Sequence, residues 1–283
     1  MKRFLLFLAV GCGGSGGSAG DDVAPPDGDV TVHQGTLTAT WATKNVDGSP
    51  ASCFSGYPKM KVTGLYWATE FDQPETGGTP ISALFDCAAG TGTMQLPIDG
   101  PADDGVTYNG KWDITFEQTT STGDNVIATD LQSQLGRPTT VDLRGGSGSI
   151  ATTFYQDGGY VWFDWLLYGP TGGDYIATCA GADVDKIDFA LTLHDTTETT
   201  HITFPCDRPD GLTSGANDVE IEGPHSVGGG IAPIKAGEWD YVATAYMGST
   251  VVGTSAAGED TIIDPKNHIT IFAELADITL TNR

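Results

Sequence analysis

The stretch "GCGGSGG", residues 11–17, holds residues that fit three different chemistries. Gly11, Gly13 and Gly16 satisfy G-x-G-x-x-G behind the apolar run 4–10, the pattern in which a glycine turn and a helix N-terminus cradle a dinucleotide pyrophosphate. Gly13, Ser15 and Gly17 satisfy G-x-S-x-G, in which a sharp strand-to-helix turn presents a serine nucleophile. Cys12 offers a thiol that can carry lipid behind a secretory leader. Both catalytic patterns need a helix directly after the glycines. Residues 13–20 are Gly/Ser-rich and are followed by "DDVAPPDG", so neither stretch supports one. Both catalytic readings fall, and the segment reads as a flexible tether.

Lys2 and Arg3 give the leader a positive start, and Phe4 to Val10 form an apolar core far short of the roughly 20 residues that span a bilayer. Ala9-Val10-Gly11-Cys12 resembles the bacterial lipobox, in which the cysteine is lipidated and becomes the mature N-terminus; leucine is commoner than Ala9 at the first position. Gly13, rather than aspartate, follows Cys12. By its resemblance to Gram-negative lipoproteins, that choice implies an exported protein anchored at the outer membrane, facing either the periplasm or the exterior.

Other residues could bind metal. His194 and His201 bracket "DTTETT" on the outward face of an expected hairpin, where cross-strand placement with Asp195 or Glu198 would make a metal site. Asp218, Glu220 and Glu222 alternate with Val219 and Ile221, which puts three carboxylates on one strand face; calcium would relieve their repulsion with hard oxygen ligands. Asp103-Asp104 and the pair Asp183 and Asp185 are similar loop candidates. None forms an EF-hand pattern, and a solvated acidic face is the simpler account. His33, His225 and His268 have no base–nucleophile spacing around them. Paired carboxylates for glycoside hydrolysis need only a spatial separation, which 37 acidic residues leave open.

The elements that must position these residues are strands. Gly is abundant at 39 residues, and short Val/Thr/Trp/Tyr segments alternate with Gly, Asp, Asn and Pro. Leu37, Ala39 and Trp41 point one way and Thr36, Thr38 and Thr40 the other. Trp112, Ile114 and Phe116 repeat this period, as do Ile187, Phe189, Leu191 and Leu193. The 13 basic and 37 acidic residues give a net charge of −24, which repels phosphate backbones and excludes nucleic acid as a partner class.

Five markers recur in order. "GTLTATW" (35–41) matches "GYVWFDW" (159–165), Cys53 matches Cys179, and "FDC" (85–87) matches "FPC" (204–206). "GKWD" (110–113) matches "GEWD" (237–240), and "TVDL" (140–143) matches "HITI" (268–271). The chain therefore reads as a tandem duplication. With Cys12 assigned to lipid, the repeat selects Cys53–Cys87 and Cys179–Cys206 from the three connectivities that four cysteines allow. Zinc would need closely spaced pairs such as C-x-x-C, and none exists.

Roughly seven strands in about 125 residues argue for a β-sandwich. The expected architecture is all-β: two tandem immunoglobulin-like β-sandwich domains after a signal peptide (1–11) and a tether (12–28). The sandwiches cover 29–156 and 157–283, and the repeat unit resembles tandem immunoglobulin-like or transthyretin-like modules of myxobacterial-type surface lipoproteins. Trp41 and Trp165 precede both cysteines of their pairs, whereas the antibody tryptophan lies between them. The resemblance implies a non-catalytic structural or binding module, with no cofactor and with a surface protein or polysaccharide as partner. Competing expectations are a calcium-dependent adhesin and a secreted hydrolase with a loop-borne carboxylate site. In "YVWFDWLLY" the outward set includes Tyr160, Trp162 and Tyr168, unusually apolar for a wet face. Such a strand is either covered at the junction of the two halves, the preferred reading, or a contact surface.

Overall fold

A computed structural model describes residues 32–66, 79–100, 108–171, 173, 175–207, 228–263 and 269–281. The leader, the tether and Cys12 lie outside the described residues, as do Asp103-Asp104, Asp218, Glu220, Glu222, His225 and His268.

Alternation of apolar and polar residues builds the first half. Its strands are β1 (Gln34–Lys44), β2 (Lys59–Tyr66), β3 (Ile81–Asp86), β4 (Thr91–Pro97), β5 (Lys111–Thr119), β6 (Val126–Thr129), β7 (Thr139–Asp142) and β8 (Ser147–Tyr155). A single helical turn, α1 (Leu131–Gln134), links β6 to β7. In β1 the side chains of Leu37, Ala39 and Trp41 are buried while the intervening threonines stay half-exposed, the pattern of a sheet with one wet face. One sheet has the order β4-β1-β8, with β4 antiparallel and β8 parallel to β1. The other runs β3-β2-β5-β6, and β7 also pairs with β5. "SIATTF" (149–154) thus closes this half as part of β8.

The second half follows the same plan. It contains β9 (Gly158–Tyr168), β10 (Tyr175–Ile176), the turn α2 (Cys179–Ala182), β11 (Lys186–Leu193), β12 (Thr199–Pro205), β13 (Gly228–Lys235), β14 (Gly237–Met247), β15 (Thr250–Ser255), β16 (Gly258–Ile263) and β17 (Ile269–Leu280). Strand β9 has β13 antiparallel and β17 parallel to it, as β1 has β4 and β8. Strand β11 lies between β12 and β14, as β2 lies between β3 and β5. Strand β14 carries β15 and β16, as β5 carries β6 and β7. The fold is all-β, two sandwiches of one pairing plan in tandem.

The repeated sequence markers are repeated contacts. The Trp41 indole N–H donates to the Cys87 carbonyl at 2.6 Å, and Trp165 donates to that of Cys206 at 3.2 Å. Each tryptophan lies 5.9 Å from the phenylalanine two residues before that cysteine, Phe85 or Phe204. Gly92 and Gly230 leave room for those rings: a Cβ would stand 2.5 Å from Phe85 and 2.4 Å from Phe204. One marker is mispaired. Val141 of "TVDL" sits opposite Trp112 in β7, and the residue opposite the equivalent Trp239 is Thr261 in β16. Residues 269–271 of "HITI" begin β17, the counterpart of β8. Strand β7 is only four residues long, too short a pattern to distinguish β16 from the start of β17.

Residues Val32–Arg283 form one compact unit with two cores. One gathers Leu37, Trp41, Met60, Trp112, Phe116 and Phe154; the other gathers Phe163, Trp165, Phe189, Phe204, Trp239 and Tyr241. The halves abut at 156–158. Gln156 N–H donates to the Lys44 carbonyl and Val46 N–H to the Asp157 carboxylate, both at 2.8 Å. A Cβ on Gly158 would lie 2.1 Å from the Ile234 carbonyl oxygen and 2.6 Å from Val46, so only glycine fits that approach.

Candidate functional site

Each half places one disulfide at the same point of its frame. Cys53 is bonded to Cys87 and Cys179 to Cys206, with Cα–Cα separations of 6.2 and 5.8 Å. In both, the second cysteine follows the last residue of the hairpin strand, and its N–H donates to the residue before the partner strand: Cys87 to Pro58 at 2.8 Å, Cys206 to Asp185 at 2.9 Å. A cleft of about 580 Å³ lies beside the first bridge, bordered by Trp41, Thr43, Phe54 and Pro58. Two of its polar side chains are committed, the Trp41 N–H to Cys87 and the Thr43 hydroxyl to the Ala51 carbonyl at 2.6 Å.

The histidines do not meet. The β11–β12 register sets His201 opposite Ala190, four positions before His194 on the neighbouring strand. At strand rise that is about 13 Å, too far for a shared ion. His201 Nδ1 instead lies 2.8 Å from Asp188, which also accepts from Thr203 at 2.8 Å. His194 stands 3.7 Å from Asp195 and 3.5 Å from Asp240, and the Asp195 charge, ahead of Glu238 and Asp240, raises its pKa. His33 lies 2.8 Å from Asp99. Asp183 caps α2 through its backbone N–H in the left-handed region, and the Asp185 carboxylate accepts from Gly248 N–H at 2.6 Å. Among the described residues, no three His, Cys, Asp or Glu side chains cluster as metal ligands.

Strand β9 is covered on both faces. Val161, Phe163, Trp165 and Leu167 enter the core, and the opposite set is also buried except at Tyr168. Trp162 is 5% exposed and its indole N–H donates to Asp164 at 3.0 Å. Tyr168 is half-buried; burial, then Asp277, raises its phenol pKa. Tyr160 is 7% exposed and reaches the first half, where its ring meets Tyr155 edge-on at 5.5 Å. It borders a cleft of about 310 Å³ between β8 and α1, together with Phe116 and Asp130.

That cleft exists because one connection differs between the halves. In the second half, Gly253, Thr254 and Ser255 of β15 pair with Leu280, Thr279 and Ile278 of β17, joining both layers into one nine-stranded sheet. The strand equivalent to β17 is β8, and among the described residues it pairs with β1 alone. Asp130 occupies the place of Ser255. Its carboxylate accepts from Phe116 N–H at 2.8 Å, as the Ser255 hydroxyl accepts from Ala243 N–H at 2.9 Å. Asp130 also accepts from Ser133 N–H at 3.0 Å and so caps α1, which turns the chain away from β8. Residues 130–138 then lead to β7, whereas only 256–257 separate β15 from β16. Sequence reading missed Asp130 entirely. The signal was a capping residue three positions before Ser133 behind a short strand.

No protein-family model matches the chain, and no curated protein matches it. Its structure is similar to a leucine-rich repeat protein from Bacteroides thetaiotaomicron, at 14% identity over 87% of this chain and 26% of that one, with a TM-score of 0.34. It is similar to the TIE protein of Bacillus anthracis at 11% identity over 88% and 34%, TM-score 0.23. The minor pilin of Streptococcus agalactiae aligns at 11% identity over 87% and 96%, TM-score 0.25. The chain spans about a quarter of the first of these structures and about a third of the second. The fold assignment rests on the strand pairing described above.

Proposed function

We propose that this is an exported cell-envelope protein, lipid-anchored through Cys12 at the outer membrane, whose paired sandwiches act as a non-catalytic binding module of the tandem-sandwich surface lipoprotein kind. The observation that carries this reading is the distribution of cysteines. Four of the five occupy matched positions in the duplicated frame and pair within each copy, as suits an oxidising compartment. The fifth, Cys12, has no counterpart in the repeat and stands behind a basic and apolar leader. Non-catalytic action accords with the placed imidazoles, each of which stands beside a strand or turn carboxylate. Loss of the leader removes Lys2 and Arg3 and takes the net charge from −24 to −26, a surface suited to solubility outside the cell. Metabolic labelling with palmitate tests the anchor. The full chain takes up label and a Cys12→Ala variant does not; a variant that remains labelled contradicts the reading.

A further inference from the structure

The open seam of the first half is the part of the molecule that the duplicated frame does not account for. We infer that the cleft between β8 and α1 binds a neutral sugar, with Tyr160 from the second half at its floor. This rests on the reading of the chain as a binding module and gives that module a site.

Four observations carry the inference. First, the cleft replaces a backbone seam that the second half closes, so among the described residues its main-chain edge at 150–153 faces the cleft and α1 instead of a paired strand. Second, Tyr160 is 93% buried at this cleft, and its hydroxyl makes no hydrogen bond to any described residue. Buried hydroxyls nearly always have partners, so an unpartnered one at a cleft marks a place for a ligand oxygen. Burial, then Tyr155 and Asp130, raises its pKa, which keeps it a neutral hydroxyl. Third, Gln132, Thr139, Thr152 and Thr153 add neutral donors and acceptors, and Phe116 and Ile150 add apolar surface. That mixture suits a ring with hydroxyls at its rim and C–H bonds on its faces. Fourth, the lining holds the Asp130 carboxylate and no Lys, Arg or His, on a chain of net charge −24, so an anionic ligand is repelled.

Size and edge length favour a sugar over an added peptide strand. The volume of about 310 Å³ is that of a small-ligand pocket. At one end Gly148 packs on Val141 and Leu143, where a Cβ would come within 2.6 Å of both side chains. At the other, the Gln156 amide donates to Gln118 at 3.4 Å. The free edge between them is too short to hold the register of an incoming strand.

The test is isothermal titration of the full-length protein in detergent with three neutral hexasaccharides, those of glucose, mannose and N-acetylglucosamine. At least one binds. Tyr160→Phe weakens it about tenfold, the loss of one hydrogen bond to the ligand, and Ala151→Trp, which fills the cleft from an exposed position, abolishes it. Thr152→Val, the second variant should Ala151→Trp fail to fold, weakens binding in the same sense. Tyr160→Phe leaves Tm unchanged or higher, because the hydroxyl has no partner among the described residues to lose. The inference is overturned if none of the three sugars binds, if binding survives Ala151→Trp and Thr152→Val, or if Tyr160→Phe lowers Tm. Binding of a Val/Thr hexapeptide in place of the sugars overturns it in favour of strand addition. Palmitate labelling is read separately, so failure of the sugar site leaves the anchor standing and failure of the anchor leaves the sugar result standing.

Discussion

In the second half, three backbone pairs between β15 and β17 lock the two layers together; in the first, the equivalent residues of β6 and β8 stand apart, with a capped helical turn between them. Several contacts of the frame are shared. Each copy retains its disulfide, its tryptophan bonded to the cysteine carbonyl, its phenylalanine over a glycine, and a side-chain oxygen at position 130 or 255 that accepts from β5 or β14. The comparison teaches that the interior contacts hold the sandwich, while a single surface connection decides whether the seam is shut. Two copies of one unit can therefore diverge in what they present without diverging in how they fold.

The largest effects should fall on the shared frame and be similar in both copies. The bridges close loops with sequence separations of 34 and 27, so removing either by paired Cys→Ala substitution costs about 3–4 kcal/mol by the chain-entropy model. Denaturant unfolding of Cys53→Ala/Cys87→Ala and Cys179→Ala/Cys206→Ala checks this; a loss in only one copy would break the equivalence. Smaller and unequal effects follow at the glycines. Gly230→Ala pushes a Cβ against the buried Phe204 and costs about 2–3 kcal/mol, whereas Gly92→Ala meets the half-exposed Phe85, which can swing aside, and costs about 1 kcal/mol. Equal losses would mean that the two rings are equally confined.

The seam gives the next contrast. Asp130→Ala leaves two main-chain donors without their acceptor and costs about 2 kcal/mol, against about 1 kcal/mol for Ser255→Ala, which loses one. Thermal melts of the two variants rank them, and the reverse order would remove Asp130 from its double role. The smallest effect is electrostatic. His194 titrates above the ordinary imidazole range because of Asp195 first and then Glu238 and Asp240. A group with a raised folded pKa adds stability that is present below its unfolded pKa and is lost as pH rises through the folded one. Asp195→Asn should therefore lower the His194 midpoint in an NMR titration and weaken the fold slightly at acidic pH only; an unmoved midpoint would assign the shift elsewhere.

Much of this fold is legible in the sequence because its signals are local or repeated. Period-two alternation in Leu37–Trp41 and Ile187–Leu191 marks the core face, since each inward side chain is buried independently of its partner strand. The cysteine pairing follows from equivalent positions in two copies. A strand of four residues carries too little pattern to be matched alone, so 140–143 matches 268–271 in sequence while its structural counterpart lies in β16. The seam is hidden for a different reason. Asp130 and Ser255 do the same work with different side chains, and their equivalence appears only through the hydrogen bonds each accepts. Tyr160 alternates like any outward residue, and nothing local distinguishes a wet face from one covered by the preceding half. A hairpin brings its strands together and so suggests that His194 and His201 are adjacent, yet the register, fixed by turn geometry, separates them.

Amide hydrogen exchange read residue by residue tests most directly the claim that one unit was duplicated and then opened at a single seam. The account predicts that the β17 amides over 278–280 that face β15 exchange slowly, and that the β8 amides over 150–153 that face away from β1 exchange fast, while β1 and β9 are equally protected. Equal protection of the two seams would contradict it.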